Sequence, residues 1–368
     1  MENLRISFCG DFVSFRPEVA QIGPSVKKIL DNSNLRYVNV EAPFSDGANG
    51  MIIKSGPPLS QPIKSAELIK QLGFNVISLS NNHIMDYGEI AARETYNCFK
   101  GLNCLGLGNT EEAYKASIIE AKGYKIGFVT GCQREFGALD TLDSSKYGYS
   151  WINDNRIDMA IINAKKECDY VFVCPHAGIE EVEIPLPEWR LRYKHFIDIG
   201  ADAVIASHPH IIQGREDYNG RRIYYSLGNF FFDRPSMPIC WDKGMIVTVN
   251  IDKCGVAFEE NFVERKNGML DLIDYAGEFK RVSSYLGVVL YSEKLKELIK
   301  LMAPIYDRNY AFSNSSPLGT KTLRGFISWA RRALLGYRDD IRLINLIRCE
   351  SHRWMYLHCL NYRTNNKY

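Results

Sequence analysis

The chain of 368 residues carries 45 Lys and Arg against 43 Asp and Glu, a net charge of +2, with 46% apolar and 24% charged residues. That length suits one large domain or one domain with an attachment, and the composition excludes disordered, collagen-like and disulfide-scaffold classes. A near-neutral charge supplies no global field for a nucleic-acid backbone, so no nucleic-acid partner is expected.

In chain order, short β-branched and aromatic runs predict strands at 4–9, 36–40, 75–79, 125–130, 170–174, 203–206, 223–227 and 245–251. Helical patterns stand between them at 65–71, 90–99, 155–167 and 188–198. Most strands read as continuous apolar runs, which suits a sheet covered on both faces. The alternation predicts an α/β domain over residues 1–265. A mainly helical, basic extension is expected over 266–368, with helical periodicity at 285–302 and a loop at Asn314-Ser315-Ser316-Pro317. From Lys321 onward ten Lys and Arg face three acids, Asp339, Asp340 and Glu350. Such a tail suits either a basic amphipathic helix on a membrane or partner surface, or a helical extension packed on the core.

No run approaches the ~18–20 apolar residues of a membrane span, and the first residues show no signal-peptide pattern. The ten cysteines are scattered without a C-x-x-C pair, which denies a zinc ribbon. The expected location is the cytoplasm, with the basic tail offered to the inner membrane face or to a protein.

The chemistry gathers where the predicted strands end, which in open α/β sheets is where ligands bind. Strand one ends in Gly10-Asp11, the second in Asn39-Val40-Glu41, and the third delivers Ser80-Asn81-Asn82-His83 with Asp86 behind. Later strands end in His176-Ala177-Gly178, His208-Pro209-His210 and Ser226-Leu227-Gly228-Asn229. Each piece alone is weak: Gly-Asp is a common turn dipeptide, and Asn-Asn-His reads equally as a helix N-cap. Together they bring carboxylates, carboxamides and imidazoles to one rim. His195 lies inside a helical stretch, where a surface or packing role is expected, and His352 and His358 lie in the tail, with no part in the chemistry expected. Mixed Asp, Glu, Asn and His ligation suits divalent metals of intermediate hardness, and a pair of them can share a carboxylate and activate water at neutral pH. No G-x-S-x-G elbow, P-loop or Rossmann fingerprint competes.

This series, together with Gly88, Glu180 and Phe230, resembles the CapA family of capsule and poly-γ-glutamate synthesis proteins, a branch of the calcineurin-like metallophosphatase superfamily. The resemblance runs over roughly residues 3–265 and is most specific from His176 through Phe232. It implies a metallophosphatase-like α/β sandwich of the four-layer type with a C-terminal helical extension. It also implies two divalent metal ions (Mn, Fe, Zn or Mg) on Asp11, Glu41, Asn82, His176, His208 and His210, with Glu41 as bridge. His83 would orient phosphate or act as general acid with Asp86 behind it, and Asn81 and Asn229 would bind substrate at the rim. Departures occur at Val13, where the wider superfamily has a His, and at Ala177 and Ala206-Ser207. The implied activity is a metal-dependent, phosphoesterase-type hydrolase of capsule polysaccharide or poly-γ-glutamate biosynthesis. Its substrate would be an anionic polymer or a phosphoester. The alternative is a non-catalytic assembly component that keeps the metal site for polymer binding.

Overall fold

The first strand, Leu4–Val13, is buried along almost its whole length, so its apolar side chains need partners on both faces. They find them in a four-layer stack, helices–sheet–sheet–helices, in the computed structural model, which describes residues 2–47, 50–141, 143, 145–234, 237–310 and 340–365. Sheet I runs in the order Gln21–Ile22, Met269–Ile273, Gly255–Lys266, Lys243–Asp252, Leu4–Val13, Leu35–Val40, Val76–Ser78, Asn103–Leu105, with Asn229–Phe232 also pairing with the first strand. From Leu4–Val13 to Asn103–Leu105 its strands are parallel, whereas Lys243–Asp252, Gly255–Lys266 and Met269–Ile273 pair antiparallel. Sheet II runs Arg215–Tyr218, Arg221–Tyr224, Ala203–Ile205, Tyr170–His176, Tyr124–Cys132, Ser117–Ala121.

Between the sheets, Phe8 of sheet I meets Phe172 and Phe128 of sheet II at centroid distances of 5.1 and 6.0 Å. Each such aromatic pair adds about 0.5–1.5 kcal/mol beyond its buried area. Outside sheet I, Val26, Leu30, Ala66, Ile69 and Ala92 cover the sheet from the helices Pro24–Asp31, Lys64–Gln71 and Gly88–Cys98. Outside sheet II, Ile157 and Ile161 come from Asn155–Glu167, and Trp189, Tyr193 and Phe196 from Pro187–Asp198. The first of these helices starts at Asp154, whose carboxylate accepts from Arg156 N and so satisfies an end donor. The second starts with Pro187, whose ring fits the first helical turn.

The sheet does not stop at the expected boundary of 265. Asn267 and Gly268 both take positive φ (53° and 81°) and turn Gly255–Lys266 back into Met269–Ile273, which lies between it and the edge strand Gln21–Ile22. Asn-Gly accepts that conformation at little cost, which makes it a strong hairpin signal; Asn219-Gly220 does the same between Arg215–Tyr218 and Arg221–Tyr224. After residue 273 the described chain is helical: Ala276–Ser284, Val288–Tyr310, Asp340–Arg348 and Glu350–Asn365. Ile299, Ala303, Tyr306, Met355 and Cys359 from these helices join the core outside sheet II. The described part of the tail is therefore packed on the sandwich. The 314–317 loop and the basic residues Lys321, Arg324, Arg331, Arg332, Arg338 and Lys367 lie outside the described residues. Among the described residues no helix is long and apolar enough to cross a membrane.

Candidate metal centre

Parallel strands of both sheets deliver side chains to one rim, and the two sheets contribute different chemistry. Sheet I supplies oxygens: Asp11 within its first strand, Glu41 one residue past Leu35–Val40, and Asn82 in the turn after Val76–Ser78. Sheet II supplies nitrogens: His176 at the end of Tyr170–His176, and His208 and His210 in the loop after Ala203–Ile205. His208 and His210 both hold left-handed backbone conformations, φ 100° and 58°, around Pro209. That is uncommon for a non-glycine residue and is typical of side chains aimed by their surroundings.

All six heads lie together and none is more than 4% exposed. His176 Nε2 is 3.1 Å from Asn82 Oδ1 and 3.1 Å from His208 Nδ1. Asp11 Oδ1 is 3.4 Å from His176 Nδ1, and Asp11 Oδ2 is 3.6 Å from His210 Nδ1. Glu41 Oε1 is 3.5 Å from His176 Nε2 and 3.3 Å from His210 Nε2. Two groups of donors form: Glu41 with His176 and His208, and Asp11 with Glu41 and His210, each with its ligand atoms within 4.8 Å of one another. Glu41 belongs to both. Both of its carboxylate oxygens are buried without a hydrogen-bond partner among the described residues, the nearby imidazoles standing outside hydrogen-bonding geometry. A buried carboxylate so placed calls for a cation, and the oxygen-and-imidazole donor set fits divalent ions.

The charges couple strongly. Burial favours neutral imidazoles, yet the Asp11 and Glu41 carboxylates raise His176 to about 9, and Glu41 with Asp11 raises His210 to about 10. Burial and the neighbouring charges of His176 and His210 push His208 well below the ordinary imidazole value. Burial alone would raise Glu41, but the same two imidazoles hold it well below the usual carboxylate range.

His83 stands beside the centre with Nδ1 held by Asp86 Oδ2 at 2.7 Å. The other oxygen of Asp86 takes Lys54 Nζ at 2.5 Å, and Leu59 N donates to the carboxylate at 2.8 Å. Asp86 thus makes no contact within the ligand groups and fixes His83 from behind. His83, Asn82 and His208 line a cleft of about 410 Å³, together with Lys54, Arg234 and Trp241.

Asn81 and Asn229, expected to bind substrate, do not line the cleft. Asn81 spends its carboxamide on Asn39, Val40 O and His83 N, shaping the turn that carries Asn82 and His83. Asn229 sits 2.9 Å from His210 Nδ1 and donates to Trp241 O, orienting a ligand imidazole. The packing that puts them behind the metal-facing layer leaves neither group free for a substrate.

Sequence reasoning also missed partners. Asn39 Nδ2 bonds Asp11 Oδ1 at 2.7 Å and lies 3.1 Å from His176 Nδ1; its spacing of two from Glu41 puts it on the same strand face. Gln133 Nε2 is 3.0 Å from His208 Nε2. It directly follows Tyr124–Cys132, so the strand-end rule applied there would have found it. Trp241 stacks on His210 at 3.8 Å, and His352, expected to take no part in the chemistry, lines the cleft. His195 and His358 pair with Asp158 and Glu188 away from it.

Among curated proteins, the capsule biosynthesis protein CapA of Bacillus anthracis is 30% identical over 218 residues, 57% of this chain and 53% of its own. The PGA biosynthesis protein CapA of Bacillus subtilis (strain 168) is 32% identical over 179 residues, 46% of each chain. The chain thus spans about half the length of these relatives. A hypothetical protein of known structure from Thermus thermophilus aligns over 71% of this chain and 99% of its own, with 17% identity and a TM-score of 0.45. The bacterial capsule synthesis family PGA_cap matches residues 5–234, the stretch that carries the ligand strands of both sheets, and this chain belongs to that family.

Proposed function

We propose that this chain is a dinuclear metal-dependent hydrolase of the phosphoesterase type, serving capsule polysaccharide or poly-γ-glutamate biosynthesis. The observation that carries it is Glu41, shared by two ligand groups, with both oxygens buried and without a hydrogen-bond partner among the described residues. Asp11, His210 and Glu41 would hold one ion, and Glu41, His176, His208 and Asn82 the other. Such ions supply Lewis-acid neutralisation of a phosphoryl group and an activated water. The rest is the work of this chain's own residues. Asp86 engages His83 Nδ1, so that His83, when protonated on both nitrogens, would present Nε2–H as the proton given to the departing oxygen and be left as the neutral imidazole. Lys54 neutralises Asp86 and so keeps that carboxylate fixed on the imidazole. Burial of the ligands lowers the local dielectric, which strengthens each electrostatic contact at the centre.

The names of the two Bacillus relatives support a role in capsule or polyglutamate production, with an anionic polymer or a phosphoester as substrate. All ten cysteines are unpaired, which supports a reducing, cytoplasmic setting. The test is metal content of the purified protein alongside turnover of bis(p-nitrophenyl) phosphate and p-nitrophenyl phosphate. The expected result is two bound metal ions and metal-dependent nitrophenol release, both reduced in Glu41→Gln. Two bound ions with no release from either compound would overturn catalysis and favour a polymer-binding component.

A further inference from the structure

The metal-facing part of the cleft is built by the family-matched segment, but part of its lining is not. Met302, Ile305 and Tyr306 from Val288–Tyr310, Asn345 from Asp340–Arg348 and His352 from Glu350–Asn365 line the same cleft as Asn82, His83 and His208. All five lie beyond residue 234, where the family match ends.

These helices are fixed relative to the centre. Ser351 Oγ donates to Gln133 Oε1 at 2.5 Å, and Gln133 in turn contacts His208. Trp189 Nε1 donates to Ser351 Oγ at 2.8 Å. The buried Glu350 carboxylate accepts from Arg134 N, Trp151 Nε1 and Asn153 Nδ2. The wall is thus joined to a metal-facing imidazole through two side chains, the kind of rigid support that a binding site needs.

Its chemistry is uncharged and hydrogen-bonding. Tyr306 OH and His352 Nδ1 lie 2.8 Å apart, beside the apolar Met302 and Ile305. Asn345 is 6% exposed, and its Oδ1 is buried with no hydrogen-bond partner among the described residues. An unpaired buried acceptor is costly to fold around and asks for a reason; a donor on a bound ligand is one. None of these five residues is Lys or Arg; among the described residues the cations of the cleft, Lys54 and Arg234, come from the family-matched segment, so this wall itself offers none to an anionic polymer segment.

We propose that the C-terminal helices select the substrate, with Asn345 and the Tyr306–His352 pair receiving an uncharged, hydroxyl-bearing, sugar-like group attached to the phosphate taken by the metal centre. The proposal rests on the phosphoester reading of that centre. Its test is calorimetric binding of glucosyl C-phosphonate and of methylphosphonate, which share an anionic head and resist hydrolysis, to the Mn²⁺-loaded full chain. The wild type is expected to prefer the glucosyl ligand. Asn345→Leu should cut that preference by ~3–10-fold, the worth of a single hydrogen bond. It should leave methylphosphonate affinity and Mn²⁺ content unchanged. Its thermal midpoint should hold or rise, because the unpaired oxygen is gone. Tyr306→Phe gives a second, independent reading of the preference. Equal wild-type affinity for the two ligands, or a preference intact in both variants, would overturn the proposal. A variant-sensitive preference without turnover of any phosphoester would instead sink the hydrolase reading and leave this one standing. A chain that binds neither ligand overturns both.

Discussion

Two side chains that look alike in the sequence part company once their neighbours are known. His208 has Nδ1 among the ligand atoms, 3.1 Å from His176 Nε2, whereas His83 has Nδ1 committed to Asp86. His83→Ala should therefore keep full metal content and lose ~10²–10⁴-fold in turnover, the usual worth of a positioned acid–base group. His208→Ala should lose metal and activity together; metal analysis beside steady-state rates separates the two, and equal metal loss in both would make His83 a ligand. The raised imidazoles make a second prediction, about the metal-free protein. His176 at about 9 and His210 at about 10 hold their protons more tightly when folded than the ordinary value of 6.5 allows in the unfolded chain. Between those values the folded state binds more protons, so stability falls as pH rises. Their contribution is complete below about pH 6.5 and lost as pH climbs through 9 and 10. Thermal midpoints of chelator-treated protein should drop across that range. Metal must displace the same protons, so metal affinity should rise with pH over the same window. A midpoint that stayed flat from pH 6.5 to 10 in metal-free protein would contradict the charged-imidazole picture.

At the scale of elements, legibility followed burial. The strands Leu4–Val13, Leu35–Val40 and Tyr170–His176 are apolar because both faces are covered, and their runs show it. Arg215–Tyr218 reads Arg-Glu-Asp-Tyr on a sheet edge, where solvent imposes no apolar pattern, and only Asn219-Gly220 marks it. The same Asn-Gly signal at 267–268 marked the strand Met269–Ile273 that moves the end of the sheet past 265. The candidate ligand set was readable from one placement rule for parallel strands, although Asp11 lies within Leu4–Val13 and not past its end. The cleft wall was not, because what brings Asn345 and His352 to the centre is tertiary: a glutamate and a serine that open the helix Glu350–Asn365. Glu350 is 1% exposed and receives three donors from residues 134–153. Hydrogen bonds to a charged group are worth about 1.5–3 kcal/mol each, and buried donors left behind add to the loss. Glu350→Ala should accordingly destabilise by at least ~2 kcal/mol, seen as a lower denaturant midpoint. Arg363→Ala, whose pair with Asp307 is more than a third exposed on both sides, should change it by less than ~1 kcal/mol.

Over the whole molecule, the helices and aromatic rings of the four layers hold each sheet to its neighbours, and at the rim charged and polar groups face one another across the gap beside Trp241. There the carboxylates belong to sheet I and the imidazoles to sheet II. A cation bound between them would be a reversible cross-link. It would join Asp11 to His210, about 200 residues apart in the chain, and stabilise the folded state, which alone brings the two groups together. With free metal at ~100 times its dissociation constant the folded state gains ~2.7 kcal/mol. Chelation should then lower the thermal midpoint, and should speed amide exchange at the rim ends of Leu4–Val13 and Tyr170–His176 together rather than in one sheet first. An unchanged midpoint after complete metal removal would show that the sheets need no such tie. If the tie is real, the protein's resistance to proteolysis becomes a gauge of metal supply, and its lifetime shortens when that supply fails.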